Sequence, residues 1–242
     1  MKITLVIPTY NEAENLPRLL QALNALPLDD LHVLVIDDNS SDGTGQLAED
    51  QKTTYSGRLD VMHRAGKLGL GSAYIQGFTH LLKGDSQAIG QMDADFSHQP
   101  EKVVELASAL QSCDMAVGSR YVPGGSLDEN WPFWRKGLSA FGNFYARSIL
   151  SMPIRDTTGG FRLWRRETLA AMPLERVRSN GYVFQVEMAY VAHKLGFHFK
   201  EIPIYFAERR FGQSKMSLRI QVEAALRVWA LFGHYRHLKK LK

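Results

Sequence analysis

Ile3-Thr4-Leu5-Val6-Ile7-Pro8-Thr9-Tyr10-Asn11-Glu12 and Leu31-His32-Val33-Leu34-Val35-Ile36-Asp37-Asp38-Asn39-Ser40 follow one plan. Each is a short, near-continuous apolar run that breaks abruptly into polar residues. Apolar runs of this length without strict alternation mark parallel strands buried on both faces. Between them, Leu16, Leu19, Leu20, Leu23 and Leu26 recur at helical spacing, which supplies the crossover that parallel strands require.

The alternation continues outward from this unit. Residues 59–63 form a short strand, and a helix follows over 71–82. Strands at 88–92 and 115–119 flank a helix entered at Pro100, with Val103, Val104, Leu106, Ala107 and Leu110 on its apolar side. This order predicts an α/β fold of Rossmann-like type, an open, mostly parallel sheet with helices on both faces. The second half is less regular. Residues 124–134 read as a loop, 136–150 as a helix, 182–195 as another helix and 197–206 as a strand. The tail over 216–234 carries a helical stripe of Leu218, Val222, Leu226, Trp229 and Phe232, flanked by Arg219 and Arg227. Arg236, Lys239, Lys240 and Lys242 follow it.

Composition narrows the function classes. With 242 residues, 45% apolar and 22% charged, the chain is an ordinary globular one. A net charge of +4 suits a protein that handles phosphates or touches anionic lipid. No basic stripe is interleaved with aromatics, so no nucleic acid is expected as a partner. The single cysteine, Cys113, permits no intramolecular disulfide and fits a reducing, cytoplasmic setting. The N-terminal residues read as a strand, not a signal peptide. No run approaches the ~20 apolar residues of a membrane span, so none is expected.

Ligands bind open α/β sheets at the carboxyl ends of the strands. Here three such ends are acidic or polar: Pro8 to Glu12, Asp37 to Ser40, and Asp93-Ala94-Asp95. Any one of them is explained by capping or turn formation. Gathering several carboxylates at one edge is costly without a cation or a hydrogen-bonded ligand. Asp93 and Asp95, two apart with a turn at Ala94, are positioned to reach one ion. Hard oxygen donors beside a diphosphate suit Mg²⁺ or Mn²⁺, and neither His98 nor Cys113 belongs to a zinc-type cluster. Lys67-Leu68-Gly69-Leu70-Gly71 opens a helix like a phosphate loop, but its spacing matches neither the Walker nor the dinucleotide fingerprint.

These segments, taken in order, resemble the inverting GT-A glycosyltransferases of family 2. The resemblance rests on Pro8 to Glu12, Asp37 to Thr44, Asp93 to Asp95, Gly118 to Tyr121, Thr158 to Arg162, Gly181 to Glu187 and Arg209 to Lys215. Within that family the set is similar to the dolichol-phosphate, or polyprenol monophosphate, mannose synthases. It implies a catalytic domain over 1–215 and an amphipathic basic tail over 216–242. It also implies roles. Pro8, Tyr10, Glu12, Ile36 and Asp38 match a pocket for guanosine and ribose. Asp93, Ala94 and Asp95 match the segment that holds metal and donor diphosphate. Arg120, Arg209 and Lys215 match cations that contact phosphates, and Arg135 matches an arginine facing the acceptor phosphate. Some relatives have a metal-binding Gln where this chain has Ser97, which offers only a hydroxyl.

The activity implied is transfer of mannose from GDP-mannose to a dolichyl or polyprenyl phosphate. An acceptor phosphate is already anionic and needs no general base, so catalysis rests on alignment and leaving-group neutralisation. Asp95, Arg120 and Lys215 would carry it. Two alternatives stand beside this reading: transfer of glucose or another sugar from a UDP- or GDP-linked donor, and a nucleotide-sugar-binding regulator without turnover. The resemblance further implies a peripheral place on the cytoplasmic face of a membrane, by the tail or by a small membrane-anchoring partner.

Overall fold

The computed structural model of the chain describes residues 1–208 and 218–241, with 218–222 as backbone only. In chain order β1 (Ile3–Thr9), α1 (Leu16–Asn24), β2 (Leu31–Asp37), α2 (Thr44–Gln51), β3 (Leu59–His63), α3 (Leu70–Leu81), β4 (Ala88–Gln91), α4 (Lys102–Ala109) and β5 (Met115–Ser119) alternate as the apolar runs predict. Helix α2 is the exception. It buries only Thr44, Gly45 and Ala48, so no apolar stripe announces it.

The second half departs further from its sequence pattern. The segment read as a loop contains β6 (Ser126–Leu127) and the start of α5 (Phe133–Ile149), which begins behind Pro132. Then come β7 (Arg162–Arg165), α6 (Arg166–Ala171), a 3-10 turn at Leu174–Arg176, and α7 (Gly181–Leu195). The long strand expected over 197–206 is two, β8 (Phe199–Pro203) and β9 (Tyr205–Phe206), and α8 (Leu218–His234) closes the set. Strand β9 leaves the main sheet to pair with β6, which explains the break.

The main sheet has the order β3-β2-β1-β4-β7-β5-β8. All its pairings are parallel except those of β7, which runs antiparallel to β4 and β5. Strand β1 shows why both faces are covered. Val6 belongs to one core cluster with Tyr74, Phe78, Trp164 and Phe184, while Leu5 and Ile7 belong to the other with Leu16, Leu19 and Val103. Register then sets the functional edge. Thr9 pairs with Asp37 and Val6 with Gln91, so the chain leaves β1, β2 and β4 at one end of the sheet. At that end lie Tyr10, Asp38 and Asp93.

Helix α8 packs against α5 and α7. Its Val228 and Leu231 are buried, and Tyr235 just beyond it is fully buried. The stripe read from sequence points the other way: Leu226, Trp229 and Phe232 are exposed. Among the described residues no helix is long and apolar enough to cross a membrane.

Candidate active site

The three acidic strand ends serve different purposes. Asp37 is consumed by its own loop, accepting bonds from Thr9 Oγ1 (3.2 Å), Ser40 N (3.1 Å) and Ser40 Oγ (2.5 Å). Asp38 is buried and pairs with Arg64 at 2.8 Å. Burial pushes its carboxyl above the ordinary range, and Arg64 opposes that only in part. Asn11 (φ 59°) and Asn39 (φ 56°) turn the chain out of β1 and β2 in the left-handed region, which asparagine tolerates. Pro8 is half-buried, Ile36 fully buried, and the exposed Tyr10 ring lies 3.9 Å under Lys67 Nζ. Glu12 accepts a bond from Asn15 Nδ2 at 2.8 Å. Of the residues expected to hold the nucleoside, Pro8, Tyr10 and Glu12 thus border one surface at the edge of β1 and β2, while Ile36 and Asp38 are buried.

The glycine-rich loop has a packing explanation. A Cβ on Gly71 would lie 2.3 Å from the Ser179 carbonyl oxygen, and Gly69 has φ +100°. These glycines let the start of α3 press against the segment that enters α7.

Beyond β4, Asp93 and buried Asp95 flank Ala94 in a tight turn closed by Ser97 N donating to Asp95 Oδ1 at 3.0 Å. Phe96 has φ 59°, a conformation a bulky residue adopts only under constraint, and such strain collects at functional sites. His98 is buried, and its Nδ1 accepts the Asp93 N–H at 3.2 Å. Burial lowers its pKa, so the ring is neutral with its proton on Nε2. Ala94 is buried beside it.

Two observations bear on a cation at this turn. Ser97 Oγ is buried without a hydrogen-bond partner; Gln185 Nε2 is too, but as an amide donor it is no metal ligand. Gly160 leaves a hollow, since a Cβ there would lie 3.3 Å from Gln185 Nε2 and 3.7 Å from Asp93 Oδ1. Among the described residues no group of three His, Cys, Asp or Glu side chains converges. Two carboxylates and one hydroxyl, all hard oxygens, fit Mg²⁺ or Mn²⁺ that completes its shell with substrate phosphate and water. They do not fit a caged zinc.

Sequence reading missed the group that organises the next layer. Asp156, fully buried, accepts four bonds: Arg120 Nε (2.7 Å), Arg120 Nη2 (2.7 Å), Arg120 N (3.0 Å) and Gly159 N (2.9 Å). Arg120 also donates to Thr158 Oγ1 at 2.8 Å. Arg120 is therefore no solvated cation but half of a buried bidentate pair. The pair holds the Asp156 carboxyl below its usual range and raises the guanidinium, in each case against the cost of burial. Arg162 is buried too, donating to Gln185 O (2.7 Å) and Thr157 O (2.8 Å), and burial pushes its pKa down to about 10. It fixes the Thr157–Gly160 backbone against α7.

From Arg120 an open groove of about 340 Å³ runs between α5, α7 and α8. Arg120, Arg135, Ser139 and Thr158 give it a polar end, and Leu138, Tyr145, Val186, Ala225 and Val228 an apolar one. Arg135 stacks 3.6 Å from the Trp131 ring centroid and donates to Glu208 Oε1 at 3.2 Å. Phe206 joins the two halves, with its ring 5.5 Å from His98 and 5.1 Å from the Arg120 guanidinium. Arg209 and Lys215 lie outside the described residues.

This is the fold of a GT-A glycosyltransferase, with a polar surface beyond β1 and β2 and an acidic turn beyond β4 at the carboxyl edge of one sheet. Residues 4–172 match the profile of glycosyl transferase family 2, and the chain belongs to that family. It is 44% identical over 232 residues to a polyprenol monophosphomannose synthase of Mycolicibacterium smegmatis, covering 94% of this chain and 86% of that one. It is 43% identical over 242 residues to an undecaprenyl-phosphate mannosyltransferase of Micrococcus luteus, covering 99% and 98%. A glucosyl-3-phosphoglycerate synthase of Mycobacterium tuberculosis, solved with Mn²⁺, UDP and glucosyl-3-phosphoglycerate, shares the fold. Its TM-score is 0.63 at 16% identity, covering 96% of this chain and 79% of that one.

Proposed function

We propose that this chain transfers mannose from GDP-mannose to a dolichyl or polyprenyl phosphate, inverting the anomeric carbon. The observation that carries the reading is the groove, whose apolar length ends at two arginines, with the Phe206 ring lying between Arg120 and the His98 that follows the acidic turn. A prenyl chain with a terminal phosphate has that division of chemistry. The full-length likeness to two mannosyltransferases that act on such lipids supports it.

In this reading Pro8, Tyr10, Glu12, Ile36 and Asp38 hold the guanosine. Asp93 and Asp95, with Ala94 between them, hold Mg²⁺ or Mn²⁺ against the donor diphosphate. The bound cation supplies charge neutralisation of the departing diphosphate. Arg135 meets the acceptor phosphate, and Arg120, locked by Asp156, shapes the place where that phosphate sits. Arg209 and Lys215 keep the phosphate-binding roles that the family resemblance gives them. The acceptor oxygen arrives already deprotonated, so alignment and the exclusion of water do the work a base would otherwise do. The catalytic unit spans 1–215, and 216–242 closes the acceptor groove through α8. The chain acts on the cytoplasmic face of a membrane, directly or beside a small anchoring partner.

The test is transfer of label into organic solvent from GDP-mannose, UDP-glucose and other nucleotide sugars, using Mn²⁺ and a short prenyl phosphate. GDP-mannose should dominate. Label moving only from a UDP-sugar, or from none, would remove this assignment.

A further inference from the structure

Helix α5 turns an uncharged stripe to solvent. Phe133, Trp134, Phe141 and Phe144 are exposed by 92%, 68%, 60% and 63%, and the exposed helix positions between them are Gly137 and Ala140. A helix that ends in solvent normally presents charge there. Helix α8 does the same, with Leu226, Trp229 and Phe232 exposed while Val228 and Leu231 turn inward. The two stripes meet. Trp229 Nε1 donates to the Tyr145 hydroxyl at 3.0 Å, and the Phe141 ring lies 6.1 Å from that of Tyr145. Phe141 and Tyr145 also line the groove, so the patch surrounds its mouth.

Charge identifies what covers such a patch. Segments 133–149 and 218–242 hold nine lysines and arginines against one carboxylate, Glu223, which α8 pairs with Arg227. The other 200 residues carry 20 Lys and Arg against 24 Asp and Glu. The chain's whole positive excess therefore lies on the segments that expose the aromatics. Aromatic side chains over a basic surface suit an anionic bilayer, where rings enter the interface and cations meet lipid phosphates. A second copy of the same basic face would repel it.

We infer that α5 and α8 together form a bilayer-docking face, which seats the groove mouth in the interface of an anionic membrane. Sequence reading assigned that contact to the tail or to a small membrane-anchoring partner; α5 contributes most of the exposed aromatic surface. The inference rests on the acceptor being a lipid phosphate, and it adds that the acceptor slides in from the membrane without crossing water.

Flotation with phosphatidylcholine vesicles, with and without phosphatidylglycerol, tests it on the full chain and on F133S/W134S/F144S. None of these three residues lines the groove. The wild-type chain should float with phosphatidylglycerol vesicles in a salt-sensitive way. The variant should partition at least about ten-fold less, with unchanged melting and unchanged transfer to a short, water-soluble prenyl phosphate. Equal flotation of the two proteins would overturn the inference. So would a wild-type dimer in solution that the three substitutions dissociate. Vesicle binding that the variant loses, in a protein that transfers nothing to any prenyl phosphate, would uphold the docking face and sink the proposed acceptor.

Discussion

Replacing Asp156 with Asn tests the buried pair on which the site is built. The carboxylate accepts four hydrogen bonds, two from the Arg120 side chain and one each from Arg120 N and Gly159 N. Asparagine keeps the shape but turns one oxygen into a donor, which then faces two other donors. It also leaves the Arg120 charge without its partner. Breaking a buried, hydrogen-bonded ion pair costs about 3–5 kcal/mol. For a chain of this size that predicts a fall in Tm of roughly 6–20 °C. The pH dependence carries a sign. The Asp156 pKa is held below its ordinary value, so its stabilisation is present above about pH 4 and is lost as pH falls through the native value. The gap between wild type and Asp156→Asn should therefore be full at pH 7 and narrow in acid. Thermal denaturation at several pH values, followed by circular dichroism, measures it. A Tm within about 2 °C of wild type at pH 7, or a gap that widens in acid, would refute the reasoning.

Three other outcomes follow from the same geometry. Asp95→Ala should lower transfer by at least about 100-fold and abolish Mn²⁺ binding seen by calorimetry in the presence of GDP, with the fold retained; near-normal turnover in Mg²⁺ would remove the metal assignment. Tyr235→Phe deletes the 2.7 Å bond from the fully buried Tyr235 hydroxyl to Glu187 Oε1; guanidinium denaturation should show a loss of about 1.5–3 kcal/mol, because the acceptor is a buried carboxylate. Glu208→Gln removes the carboxylate that Arg135 pairs with, which would compete with the proposed acceptor phosphate; KM for a short prenyl phosphate should fall with kcat unchanged, and a raised KM would count against Arg135 at the acceptor site.

The sheet was legible because its strands are buried on both faces. Ile3 to Ile7 and Leu31 to Ile36 have no polar face to confuse the pattern, and their strand order follows from simple crossovers. Strand β7 was not legible. Its sequence, Arg162-Leu163-Trp164-Arg165, begins with a charged residue that is nonetheless fully buried, because the carbonyls of Thr157 and Gln185 accept hydrogen bonds from its guanidinium. Asp156 escaped for a related reason: its partner Arg120 lies 36 positions away and nothing local marks the pair. The stripe on α8 was read correctly as a stripe, but periodicity gives a face and not its direction. Val228, Leu231 and Tyr235 make a second apolar face at the same period, and only packing shows that this one turns inward.

The buried pair also reassigns the electrostatics of the proposed reaction. An acceptor phosphate must approach a diphosphate of like charge, and cations at the cleft must offset that repulsion. Arg120 cannot do this with its full charge, since Asp156 beside it cancels most of the field. It offers fixed N–H geometry instead, and the two short bonds to Asp156 forbid it to move. Arg135 is in the opposite position. Its partner Glu208 is about half exposed, so water can solvate that carboxylate if the guanidinium turns to a phosphate. Exchanging one exposed oxyanion for another costs little, whereas stripping Arg120 from Asp156 would leave a buried carboxylate bare. The pairing therefore divides the work between the two arginines. In the proposed reaction Arg120 would be a template that holds its shape, and Arg135 the charge that turns to the acceptor phosphate. The Trp131 ring stacked on Arg135 keeps that charge at the polar end of the groove in the meantime.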